Sequence, residues 1–196
     1  MKRSILLTLG ASIIGLITII TGCSKAPVQA GIAPKDMADA LFAVMEADRA
    51  TYTKTVVKRM HDHHPKDVMK ASEHWQDEAS NIPLPAQMFR MASERVAKKD
   101  VKVSYQLKSS WPINKQNLPK SETEKEGFAF IEGNGGAEPF YKEEDISGKK
   151  YFTAVYADVA VSDACVNCHN NHQDTPRSDF KLNDTMGGVV IRIPLD

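Results

Sequence analysis

Net charge is the first thing this sequence lacks. Its 25 basic and 25 acidic residues cancel across 196 positions, so bulk electrostatics offers no hold on nucleic acid, which is not expected as a partner. Cysteine is scarce as well: the chain has three, Cys23, Cys165 and Cys168, too few for a disulfide framework. Internal repeats and low-complexity blocks are missing, which excludes a solenoid or a disordered linker protein. The remainder is ordinary for a globular chain with one real core, at 26% charged and 42% hydrophobic residues. Any function must therefore come from a site.

A long apolar run occurs at the N-terminus. Lys2 and Arg3 precede Ile5 to Ile20, and the run closes on Ile20-Thr21-Gly22-Cys23. A positive start, an apolar stretch and small residues before a cysteine make an export signal, and the ending resembles a bacterial lipobox. Residues 1–22 are thus expected to be a lipoprotein signal peptide, with Cys23 the lipidation site and the membrane reached through that lipid anchor. An uncleaved membrane helix is the alternative, since the run is near the lower length limit for spanning. Ser24, where an inner-membrane retention signal would have aspartate, favours outer-membrane sorting and a periplasm-facing chain in the bacterial cell envelope.

Beyond Cys23, residues 23–33 are small and polar enough to be a tether. From Lys35 to about Asp62 the residues Met37, Leu41, Val44, Met45, Tyr52, Val56 and Met60 recur at three- and four-residue spacing, predicting one long N-terminal helix. His61-Asp62-His63-His64-Pro65 marks its end, Lys66 to Ser80 reads as a second, more polar helix, and Ala86 to Lys99 as a third. The period then changes. Val101, Val103, Tyr105 and Leu107 alternate with Lys102, Ser104, Gln106 and Lys108, the pattern of a strand with one wet face. Ser121 and Glu124 have capping-box spacing for a helix stopping at Gly133. Lys150–Val161 and Val189–Ile193 are further strands. Helices first, then strands with a helix between them, predict an α+β fold with a mostly antiparallel sheet.

The chemistry concentrates in Cys165-Val166-Asn167-Cys168-His169. C-x-x-C-H is the attachment pattern of a c-type haem: two thiols reach two vinyl groups on one porphyrin edge, and the adjacent imidazole becomes the proximal iron ligand. The expectation is one covalent haem c on Cys165 and Cys168, with His169 on the iron. A thioredoxin-like disulfide would not need His169. A zinc site on Cys165, Cys168, His169 and His172 would have to close a tetrahedron within eight residues.

Leu84-Pro85-Ala86-Gln87-Met88-Phe89-Arg90, Ser109-Ser110-Trp111-Pro112-Ile113-Asn114 with Asn117 and Pro119, the C-x-x-C-H motif, and Gly187-Gly188-Val189-Val190-Ile191-Arg192-Ile193-Pro194 together resemble the Tll0287-like haem domain. The resemblance spans roughly residues 36–196 and implies a PAS-like antiparallel sheet flanked by helices, with covalent haem, so that residues 34–196 form one domain. It also implies either a sensor module or a free exported protein. No kinase or cyclase follows in this sequence, so a signal would pass to a separate partner.

Some members of that family use a cysteine from the N-terminal helical region as sixth ligand, and this chain has no spare cysteine there. His74, placed within the expected second helix, is the candidate for that role. His61, His63, His64, Met60, Met69, Met88, Met91 and Met186 are further imidazoles and thioethers able to bind haem iron. Arg177 and Lys181 could pair with haem propionates. The function expected is electron transfer or redox sensing by a membrane-anchored monohaem cytochrome, with a redox partner protein, a possible homodimer and no catalysis beyond electron transfer. The alternatives are a gas-sensing or ligand-sensing haem domain and a haem-free module with a Cys165–Cys168 disulfide.

Overall fold

The computed structural model describes residues 31–63, 65 and 68–195. The expected signal peptide, Cys23, most of the tether and His64 lie outside the described residues. Helix α1 (Pro34–Thr51) starts on Pro34, whose fixed φ suits a first helical turn. It passes without interruption into a π-helical stretch, Tyr52–Val57, and then α2 (Lys58–His63). The sequence expectation of one long helix therefore holds for its extent but not for its pitch. Thr53 and Thr55 turn their hydroxyls back to the carbonyls of Arg49 and Thr51, and such back-bonding loosens a regular helical ladder.

The helix expected over Lys66–Ser80 is not formed over its described residues, 68–80. Within that segment lie β1 (Lys70–Ser72) and a run of turns, and β1 pairs in parallel with β2 (Asn81–Pro83). The segment has too little apolar surface to bury a helical face, so turns and side-chain bonds hold it instead. Tyr52 Oη donates to the Pro83 carbonyl at 2.7 Å, and Gln87 Nε2 donates to the Glu73 carbonyl at 2.7 Å. Helix α3 (Pro85–Val96) follows.

The main sheet contains β3 (Ser104–Lys108), β4 (Phe140–Ile146), β5 (Lys149–Val159) and β6 (Thr185–Pro194). It is antiparallel, in the order β3-β6-β5-β4. Alternation along its central strands sends side chains to two covered faces. Ala154, Tyr156, Val189 and Ile191 meet Ala38 of α1 and Phe89 of α3. Val155 and Val190 meet Phe128 and Ile131 of α4 (Glu122–Gly133). Strand β4 has no counterpart in the sequence expectation, because Lys142, Glu143, Glu144 and Asp145 hide its alternation. Such charge suits an edge strand. Its turn carries the readable signal: Ser147 and Gly148 have φ of 56° and 80°, the pair of positive angles a two-residue hairpin needs.

Lys108 departs from the wet face expected of it and is 6% exposed. Its Nζ donates to Glu124 Oε2 at 2.7 Å, while Arg192 Nη2 donates to Glu124 Oε1 at 2.8 Å and Arg192 Nε to Glu144 Oε1 at 2.9 Å. Glu124 also completes the capping box with Ser121. Burial alone would raise the Glu124 carboxyl, but the bonds from Lys108, the Lys120 amide and Arg192 outweigh it and hold the group at about 2. Replacement of Glu124 by Gln leaves two buried cations short of a partner, and should cost about 3–5 kcal/mol in urea unfolding at pH 7. Because the folded-state value lies below the ordinary 4.5, the carboxylate's contribution is complete above that pH and is lost as pH falls toward 2. The Glu124→Gln protein should accordingly show a flatter acid-unfolding profile than wild type.

Candidate functional site

The C-x-x-C-H motif lies on helix α5 (Asp163–Asn171), between β5 and β6. Ser162 caps it, accepting from the Ala164 amide at 3.2 Å. At the other end, Asn170 donates to the Phe180 carbonyl at 2.9 Å and accepts from the Phe180 amide at 3.0 Å. That reciprocal pair fixes the returning loop and sets the Phe180 ring edge-on to His169, with centroids 6.1 Å apart and planes at 90°. Phe180 in turn packs with Trp111, Met186, Cys165 and Val166.

Cys165, Cys168 and His169 all border one cavity of about 620 Å³, walled also by Arg49, Thr53, Leu84, Leu107, Ile113 and Met186. The two thiols are free; burial pushes Cys165 above its ordinary value, while Cys168 stands at the exposed side of the helix. Burial, then the nearby Arg49 cation and His172, push His169 below the usual imidazole range, so its ring is neutral at pH 7. Nδ1 of His169 is buried with no hydrogen-bond partner, a state native interiors rarely leave uncompensated. Among the described residues, no group of three or more His, Cys, Asp or Glu is placed to hold a metal ion. The four donors of the zinc alternative are therefore not convergent.

His74 lies in a turn rather than a helix, with its side chain 80% exposed and Nδ1 3.7 Å from Asp77. It does not line the cavity. The neighbouring Glu73 does, and its carboxylate lies 3.2 Å from Nε2 of His172. Of the methionines, Met186 is buried on the cavity wall beside Cys165, Met60 is buried away from that wall, and Met69 is exposed. Arg177 stacks on Phe180 and Trp111, at 4.3 and 4.5 Å from the ring centroids, and donates to Asp179. It is thus a support for the motif rather than a cavity residue.

Arg49 and Asp158 were missed in the sequence. They form an ion pair through Arg49 Nη1 and both face the cavity, 14% and 15% exposed. Arg49 is the last basic residue of α1 before the π-helical stretch, which also supplies Thr53 and Val57 to the wall. Asp158 sits at a register shift in the β5–β6 ladder, and bulges of this kind re-aim a side chain next to a site. Neither feature carries a motif.

A mixed α+β fold, with an antiparallel sheet flanked by helices and a thiol-thiol-imidazole helix opening onto a large cavity, defines the class. Within it, the chain belongs to the Tll0287-like family, whose model matches residues 29–194. The crystal structure of the cyanobacterial haem protein Tll0287 shares the fold, with a TM-score of 0.53 and 12% identity over 84% of this chain and 98% of that one. No curated protein matches the chain.

Gly187 borders the cavity on β6, and a Cβ there would stand 2.5 Å from the Lys108 carbonyl oxygen on β3. Gly187→Ala should therefore part the strands at the cavity wall and lower stability by about 1–3 kcal/mol in urea unfolding. An unchanged midpoint would contradict that contact.

Proposed function

We propose that this chain is a monohaem c-type cytochrome of the bacterial cell envelope, anchored by lipid on Cys23 and working in electron transfer or redox sensing. The observation that carries the reading is the placing of both thiols and the imidazole of one C-x-x-C-H helix on the wall of one cavity. The cavity lies within the size range of small-molecule and cofactor sites. Membership of the family and the likeness to a haem protein support it further. Cys165 and Cys168 would hold the haem by thioether bonds, and His169 would be its proximal ligand. When bound, the haem supplies a one-electron ferric–ferrous couple.

The protein's own part is to exclude water and hold orientation. The Asn170–Phe180 pair and the Phe180 ring keep His169 in place, and the apolar wall of Leu84, Leu107, Ile113 and Met186 lowers the local dielectric. Exposed Arg90 and Lys120 at the cavity are suited to meet propionate carboxylates. Cys168 is exposed, which would leave a porphyrin edge open to a separate redox partner protein. A second copy of the chain is a further proposed partner, and no catalytic role beyond electron transfer is proposed.

Ligand sensing is the second reading. It is favoured by the cavity wall, whose described residues include no imidazole besides His169.

Produced with a c-haem attachment system, the protein should keep its haem through acid–acetone extraction, and a Cys165→Ala/Cys168→Ala variant should release it. His169→Ala should keep the thioethers but change the ferric absorption spectrum. Haem released from the wild type, or an unaltered His169→Ala spectrum, would contradict the assignment.

A further inference from the structure

Glu73 reaches the cavity wall from a lightly tied part of the fold. Strands β1 and β2, of three residues each, pair in a two-stranded sheet apart from the main one, and a ribbon of that size is marginal without outside ties. Residues 68–70, 73–74 and 76–79 are exposed, the pattern of a segment that opens at low cost. Two ties come from neighbouring helical residues: Tyr52 donates to the Pro83 carbonyl and Gln87 to the Glu73 carbonyl, each at 2.7 Å. A third crosses 99 residues, and places His172 Nε2 3.2 Å from Glu73 Oε2.

The imidazole is set up for that contact. Its side chain is 16% exposed, and Nδ1 accepts from the Asp174 amide at 3.1 Å. The neutral ring therefore carries its proton on Nε2 and donates it to the Glu73 carboxylate. An ion pair between two mobile surface side chains contributes little, largely because both must be immobilised. Here the ring is already fixed by the Asp174 amide and the Glu73 backbone by Gln87, so less freedom is lost in closing the contact. His172 caps the C-terminus of α5, one helical turn beyond Cys168. Glu73 and Cys168 both wall the cavity. The pair thus joins the polar segment to the end of the motif helix at the rim where Cys168 is exposed.

Building on the haem reading above, we propose that His172 is a positioning residue whose bond to Glu73 clasps the β1 segment against the cavity at Cys168 and sets how far water and a redox partner reach the haem edge there. Burial and local dielectric are among a protein's means of setting a haem potential. Water at the edge favours the ferric form, whose extra positive charge it solvates, so opening the clasp lowers the potential. The couple would then be tuned from outside the iron's own ligands.

The test compares holo-protein of wild type, His172→Ala and His172→Gln. Gln is as neutral as Ala but restores an amide donor toward Glu73, so the difference between the two variants reports the bond rather than a charge. Hydrogen exchange read by mass spectrometry should show the amides of residues 70–80 exchanging about tenfold faster in His172→Ala, the loss expected for one hydrogen bond to a charged group, and near the wild-type rate in His172→Gln. Spectroelectrochemical titration should place the potential of His172→Ala below that of wild type and return it in His172→Gln. Glu73→Ala carries the same exchange expectation should His172→Ala fail to fold, and the double variant should exchange no faster than either single one. Exchange unaltered in His172→Ala and Glu73→Ala would overturn the proposal. Faster exchange with the potential unmoved would overturn it as well, leaving the pair a structural tie alone. Protein that takes up no haem would sink the haem reading first and this proposal with it.

Discussion

Glu124 is the group on which the arrangement of the sheet depends. One carboxylate, 2% exposed, receives Lys108 from β3, Arg192 from β6 and the Lys120 amide at the start of α4. Arg192 extends the network to Glu144 on β4. Three strands and a helix are thereby tied at one point where a buried charge would otherwise be intolerable. Because its partners come from β3, β4, β6 and α4, the network is satisfied when all four stand in this register.

That register places the cavity. Lys108 pairs with Gly188 across β3 and β6 beside it, and the adjoining Gly187 lies so close to the Lys108 carbonyl oxygen that the approach is open only to glycine at 187. On the opposite side of β6, β5 ends in the irregularity that carries Asp158, and the chain then enters α5 with its two thiols and imidazole. The motif is local, but what surrounds it is not. Arg49 comes from α1 and meets Asp158 across 109 residues of sequence, while Phe180 reaches His169 from the loop that leads to β6.

Much of this was legible in the sequence where a periodic or chemical signal is strong. The capping box at Ser121 and Glu124, the alternation leading to β3, the aromatic and β-branched run of β5 and the C-x-x-C-H spacing all had local causes. The α+β class followed from their order. The polar segment before Asn81 misled because a helical spacing without an apolar face has nothing to pack, and its turns are tied instead by the bond from Gln87 to the Glu73 carbonyl and by the pairing of β1 with β2. That error carried His74 with it, since a residue placed on a helix in the reading lies on an exposed turn in the fold. Lys108 and Arg49 were hidden for another reason. A lysine on an alternating strand or an arginine near a helix end is usually solvated, and only the partner brought by the fold makes it buried.

The proposed hold of Cys165, Cys168 and His169 on one covalent haem is open to direct measurement. Intact mass spectrometry of the protein matured in an exporting cell tests it most directly. The expected result is the polypeptide mass plus one haem that survives denaturation, with both thiols unavailable to alkylation. A mass without haem, with Cys165 and Cys168 joined to each other or free, would contradict it.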